Sequence, residues 1–256
     1  MSKKPKIIRC YLGYKEKLDQ LSFEYDPQGL RPSWIHIKDP KFKARFFSIM
    51  TKTDSEVLYK RFTGNFYYPV DLKINEKEIK RFYQKFASVY DQNTARNNQP
   101  MAEFLLTKIK KLKVSRKAKV LDLGAGTGIF SDLASQNGST DLTLLDNSEA
   151  MLDIARTKSS LERAKFILGD IREQKFNQTF DLIVSIMMFD VIDDRELPKI
   201  LENLKKHLEK GGYILLIEDK QRAVYKKYFR TIEEGIFYIS KKDNFTKYCF
   251  IGGKTD

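Results

Sequence analysis

Three glycines, Gly124, Gly126 and Gly128, alternate through the stretch KVLDLGAGTGIFS (residues 119–131), and an acid, Asp122, stands two residues before the first. A run this bare keeps no side chain between its backbone and a ligand, so it suits a close approach by a nucleoside. The spacing then separates two kinds of nucleotide. A dinucleotide fingerprint needs G-x-G-x-x-G, which from Gly124 demands glycine at 129, where the chain has Ile129. Asp122 would repel a pyrophosphate and attract an ammonium. These residues point to a nucleoside joined to an amino acid, without phosphates. Three more polar residues, Asp146, Asp170 and Ser185, each close or directly follow a short apolar run. In open α/β sheets the carboxyl ends of strands are where ligands bind.

The elements that would position these residues alternate along the chain. KVLDLG, LTLLD, KFILGD, FDLIVSI and YILLIED read as buried strands. Between them IFSDLASQNG, SEAMLDIARTK and LPKILENLKKHLEKGG carry helical spacing. Ser148 is placed to N-cap the second, Pro198 lies in the first turn of the third, and Gly211-Gly212 ends it. This pattern predicts a parallel sheet covered on both faces. The alternation then stops. RAVYKKYFRTIEE reads as a helix, after which GIFYIS and TKYCFIG are separated by only KKDNF, too short for a crossover, so they must form an antiparallel hairpin.

VLDLGAGTG resembles motif I of the class I S-adenosylmethionine (SAM)-dependent methyltransferases, and the resemblance extends over roughly residues 80–250. It implies a Rossmann-like doubly wound α/β sheet ending in an antiparallel hairpin, with SAM as cofactor and S-adenosylhomocysteine as product. It also implies a cofactor-binding set of Asp122, Gly124, Ala125, Gly126, Asp146, Asn147, Met151, Asp170, Ile171 and Ser185. In that set Asp146 holds the ribose hydroxyls, Asp170 accepts from the adenine amino group, Ile171 packs on the ring and Ser185 faces the methionine moiety. Residue by residue, each also has a plainer reading: a strand–helix turn for the glycines, helix caps or turns for Asp146 and Asp170, core packing for Met151. Their coincidence at four successive strand ends favours the cofactor.

The acceptor is less legible. The stretch after the fourth strand, SIMMFDVIDD, has neither N-P-P-Y nor D-P-P-Y, as in amino-methylating nucleic-acid enzymes, nor a Pro-Cys nucleophile. Asp190 is a candidate catalytic base, while Asp193 and Asp194 read as caps of the next helix; an Mg²⁺ held by these three is the alternative. Met187, Met188 and Phe189 read as an apolar pocket wall or as packing. FYQKFASVYDQ resembles the F-x-x-x-A-x-x-Y-D lead-in of small-molecule methyltransferases of the ubiquinone/menaquinone-biosynthesis type. There it forms a lid, which implies Phe86, Tyr90 and Asp91 as lid residues and Tyr90 as a second catalytic candidate. Phe82, Phe86 and Val89 also fit the core-facing side of an amphipathic helix.

Residues 1–75 read as a small N-terminal α+β appendage for substrate recognition or oligomerisation, and residues 76–256 as the catalytic domain with a helical lid at 76–113. The appendage holds fifteen Lys/Arg against eight Asp/Glu, so it supplies more than half of the net charge of +13. It is rich in aromatics, among them Trp34, Phe46, Phe47 and Phe62. Exposed, these with the basic residues would read RNA; buried, they would be core. The favoured reading is a methyltransferase acting on O, N or C of a small molecule. The alternative is an RNA- or protein-modifying enzyme that uses the basic appendage, and a third reading is a module that holds SAM without transfer. Two cysteines and two histidines, far apart, argue against a disulfide framework and a His/Cys zinc site. No window of eighteen apolar residues exists, so a cytoplasmic protein without a membrane span is expected.

Overall fold

The computed structural model describes residues 76–219, 221–240 and 245–254. The chain divides into two compact units, Met1–Asn97 and Asn98–Asp256. The appendage assigned to residues 1–75, with its aromatics, lies outside the described residues.

A long helix, α1 (Glu76–Lys111), carries Pro100 in its interior. Beyond it come β1 (Lys119–Leu123), α2 (Ile129–Gln136), β2 (Asp141–Asp146), α3 (Glu149–Arg156), β3 (Lys165–Leu168), β4 (Phe180–Ile186), α4 (Leu197–His207), β5 (Leu208–Glu218), β6 (Phe229–Ser240) and β7 (Phe245–Lys254). The seven strands make one sheet in the order β3-β2-β1-β4-β5-β7-β6. β1 to β5 are parallel, while β7 lies antiparallel between β5 and β6. The doubly wound sheet with a closing hairpin is therefore present.

The period of two along each strand sorts side chains into two cores. Val120, Leu182, Val184, Leu215, Ile217 and Ile251 face one side, where they meet Met101, Leu105 and Leu106 of α1 and Phe130 of α2. Leu121, Leu123, Ile183, Ile214, Leu216 and Phe250 face the other, against Leu197, Ile200, Leu201 and Leu204 of α4. Strands apolar on both faces are what a covered parallel sheet requires.

Two elements differ from expectation. α4 stops at His207, and the stretch expected to finish it, through Gly211-Gly212, already belongs to β5. The helix expected over 222–234 is a short 3₁₀ turn, Ala223–Lys227, followed directly by β6. Its apolar positions Tyr225, Tyr228 and Phe229 have helical spacing, but β7 offers a backbone edge that pairs from Phe229↔Lys254 onward. A Cβ on Gly252 would lie 2.7 Å from Cβ of Phe229. That glycine makes the room in which Phe229 is buried.

Candidate functional site

Parallel pairing aligns the strand ends. Leu123 is in register with Leu145 and with Ser185, and Asp146 with Leu168. The predicted polar residues of β1, β2 and β4 thus share one edge of the sheet, with Asp170 two residues past the end of β3.

The glycine loop leaves β1 with Gly124 at φ 64°, Gly126 at 55° and Gly128 at 75°. Two of these positions show why glycine is needed. A Cβ on Gly124 would sit 2.4 Å from Cγ of Met188; one on Gly128 would meet Leu161 at 2.9 Å and Leu144 at 3.1 Å. Gly128 lets α2 start close against the sheet. Gly124 accommodates the methionine that follows β4, so its missing side chain is already used by the protein's own packing.

Asp122 is buried on β1 and accepts a 2.7 Å hydrogen bond from Ser131 Oγ of α2. Burial pushes its carboxyl up to about 7; the Ser131 bond opposes this, and the charge of nearby Asp146 adds to it. Asp146 is a crosslink between loop and strand. Its Oδ2 accepts from Gly126 N–H at 2.8 Å and its Oδ1 from Ser148 N–H at 2.9 Å. Burial raises its pKa, and the backbone N–H groups of Ser148, Gly126 and Asn147 act against that rise. A carboxylate offers about four lone-pair sites, so two bonds leave each oxygen able to accept another. Ser148 precedes α3 as expected, but its hydroxyl makes no capping bond. Ser148 Oγ is instead a buried oxygen without a partner, two residues from Asp146.

The remaining predicted residues are placed as follows. Ala125 is half-buried in the loop, where its N–H donates to Leu145 O, and Asn147 is half-buried beside Asp146. Met151 is 1% exposed and Ile171 6%; Ile171 packs with the α4-side core. Ser185 Oγ donates to Leu123 O at 3.2 Å, fastening β4 to β1. Asp170 is gripped by Arg172 through Nε at 2.8 Å and through Nη2, and Oδ1 also accepts Arg172 N–H at 2.9 Å. Tyr90 and Asp91 lie on α1 within the first unit, both half-buried, and the Tyr90 ring stands edge-on to Tyr83 at 6.3 Å.

Asp190 follows β4 and joins it to the end of β5. Its Oδ2 accepts Asp219 N–H at 3.0 Å and its Oδ1 lies 3.4 Å from Nη1 of Arg222. Burial, then the charge of Asp219, push its carboxyl up to about 6. Asp193 is bound to Arg195 and Asp194 to Arg222, so cations of the chain already engage these acids. Glu196, rather than either aspartate, holds the N-cap position of α4. Sequence reasoning missed Glu218, Arg222 and Lys247, all buried at this edge. The charge-dense IEDKQR at the end of β5 was the available signal, because a buried strand rarely runs into five charged or polar residues without a reason.

A family profile described as "Methyltransferase domain" matches residues 120–212. The chain is 28% identical over 144 residues to a malonyl-[acyl-carrier protein] O-methyltransferase of Bacillus anthracis, covering 56% of this chain and 52% of that protein. It therefore spans about half the length of that relative. It is 30% identical over 178 residues to a carboxy-S-adenosyl-L-methionine synthase of Nautilia profundicola, covering 66% of this chain and 75% of that protein. Among solved structures, the fold is similar to magnesium protoporphyrin IX methyltransferase of Synechocystis PCC 6803 with bound SAM. The TM-score there is 0.54 at 12% identity, over 83% of this chain and 97% of that one.

Proposed function

This chain belongs to the class I SAM-dependent methyltransferase family, and on that premise we propose that it transfers a methyl group to an O, N or C atom of a small-molecule acceptor. The observation that carries the reading is Asp146. It ends β2, is fixed by two backbone N–H groups, and keeps lone pairs for a diol beside a glycine loop. A ribose with both hydroxyls unsubstituted fits that donor set. The partnerless Ser148 Oγ adds a buried polar atom at the same place.

SAM, when bound, supplies a methyl group activated by a sulfonium. The chain's own residues do the rest. Asp146 accepts the ribose hydroxyls, and Asp122 supplies the negative charge that draws in an amino-acid ammonium. The backbone of Ala125 and Gly126 gives the close approach, the space at Gly124 being filled by Met188. Met187 and Met188 supply apolar surface beside the glycine loop, while Phe189 is packed in the α4-side core. Asp190 takes the proton of an acceptor that carries one, a task suited to a carboxyl raised to about 6.

The acceptor named for a relative, a malonyl group on its carrier protein, supports a reading in which a small acyl group is methylated. The basic residues 1–75 support a second one, an RNA or protein acceptor. Tritiated methyl transfer from SAM into a cell lysate separates them, with the products split into small molecules, RNA and protein and with Asp146→Ala as the blank. Label in the small-molecule fraction is expected. Label confined to RNA, or to protein and not released by cleaving carrier thioesters, would replace the first reading by the second, and no label in any fraction would leave only a SAM-holding module.

A further inference from the structure

A single guanidinium ties the two strand ends that flank the proposed acceptor position. Arg222, its side chain 4% exposed, reaches four partners from two stretches of chain. It contacts Oε2 of Glu218 at the end of β5, and Nη2 donates to Phe189 O at 3.1 Å. Nε donates to Asp194 at 2.9 Å, and Nη1 faces Asp190 at 3.4 Å. Glu218 is itself held by Tyr225 Oη at 2.5 Å. The segment being held is a strained one. Met187 sits at φ 63°, a left-handed conformation that a methionine keeps only when its surroundings impose it. Its N–H is bound to Ile217 O at 2.8 Å, and the next residue, Met188, lies against Gly124 of the cofactor loop.

We propose that Arg222 is a positioning residue for methyl transfer, fixing the segment from Met187 to Asp194 so that Met188 stays against the cofactor loop and Asp190 is held at a set height at the end of β4. The proposal rests on the methyltransferase reading of this cleft. Arginine is required because one planar fork must satisfy a carbonyl and three carboxylates at once; a lysine ammonium can keep the charge but not the span. The guanidinium also tunes Asp190. That carboxyl is faced by Asp219 just after β5, by Arg222 and Tyr225 from the turn that follows and by Lys247 from β7, while Glu218 and Asp194 share the same guanidinium. Arg222 is one of two cations in this set, so removing it leaves Asp190 among carboxylates and raises its pKa further.

The test uses the full chain with Arg222→Lys and Arg222→Gln. Three readouts are compared: thermal unfolding, calorimetric binding of S-adenosylhomocysteine, and tritiated transfer from SAM into the fraction that the unchanged chain labels, from pH 5 to pH 9. Arg222→Lys is expected to fold and to bind S-adenosylhomocysteine as the parent does, yet to transfer about 10-fold to 100-fold more slowly, with its acid limb in place. In Arg222→Gln the acid limb moves to higher pH. If Arg222→Gln does not fold, Arg222→Gln with Glu218→Gln removes a buried carboxylate together with the cation and is read for the same limb. A Lys variant at the parental rate, or an unmoved limb without the cation, overturns the assignment of Arg222 alone. Absence of label with the unchanged chain overturns the methyltransferase reading, and the assignment falls with it.

Discussion

Asp146 is the residue on which cofactor binding turns, and it has two jobs that substitution can separate. Asp146→Ala removes both a charge-assisted acceptor and the crosslink to Gly126, so SAM affinity should fall by roughly 1.5–3 kcal/mol in calorimetry. Asp146→Asn keeps a carbonyl for the backbone N–H groups and should lose less. Equal affinity in the alanine variant would remove the ribose assignment. Asp122 makes a different prediction, in pH. Its carboxyl rises from 3.8 to about 7, so the folded chain without cofactor holds a proton that the unfolded chain has released. Between those values folding stability therefore falls as pH rises, and the loss persists above 7. An ammonium needs the ionised form, so SAM should bind more tightly as pH climbs through 7. Asp122→Asn should flatten both trends, in melts and in titrations; a parental slope in that variant would show that another group carries them. Gly124 offers a third. Gly124→Ala places a Cβ in left-handed backbone, costing roughly 1–2 kcal/mol, and forces it onto Met188 as well. Pairing it with Met188→Gly should recover the clash but not the backbone cost. Denaturant melts of the four combinations measure that coupling, and strictly additive losses would mean the two residues do not touch.

At the scale of elements, the parallel half of the sheet and its closing hairpin were legible, and the start of β6 was not. β1 to β5 announce themselves because residues buried on both faces leave continuous apolar runs, and the helices between them have amphipathic spacing. The carboxyl-end acids were legible for the same reason: a charge that terminates a buried strand is conspicuous. The start of β6, through Glu234, reads as helix because Tyr225, Tyr228 and Phe229 fit a helical face, while the pairing that decides the matter lies across the hairpin, against Gly252 and Gly253. Local period cannot report a partner strand. Lys108 was hidden in the same way. On sequence it is one more basic residue near the end of α1, yet it is 8% exposed, sits over the rings of Phe104 and Phe237 at 5.1 and 4.5 Å, and is paired with Glu233 of β6. It staples the second half of α1 to the edge strand. Lys108→Ala should destabilise by about 1–3 kcal/mol, since a largely desolvated cation–π contact and its stem packing are lost together. Chemical denaturation measures this, and a change within about 0.5 kcal/mol would mark Lys108 as an ordinary surface substitution.

For the molecule as a whole, residues 1–75 can be separated by deletion from the seven described strands. Among the described residues, both hydrophobic cores are assembled between Met101 and Ile251, and the seven strands lie beyond residue 118. A chain beginning at residue 76 should therefore unfold cooperatively and bind SAM with the affinity of the full chain. Its acceptor range should change, because the aromatic and basic stretch that carries more than half of the net charge is gone. The two readings of function diverge at this point. If the stretch holds an RNA backbone, the full chain labels RNA in a manner that weakens steeply with salt, as counterions compete for the same phosphates. The shortened chain then loses that label altogether. If the stretch serves a small acceptor, labelling by the full chain is nearly indifferent to salt, and deletion alters which small molecule is methylated. A shortened chain that fails to fold, under conditions where the full chain melts cooperatively, would mean the catalytic domain does not begin at residue 76. The basic residues would then have to be read as part of its architecture before any role in substrate choice.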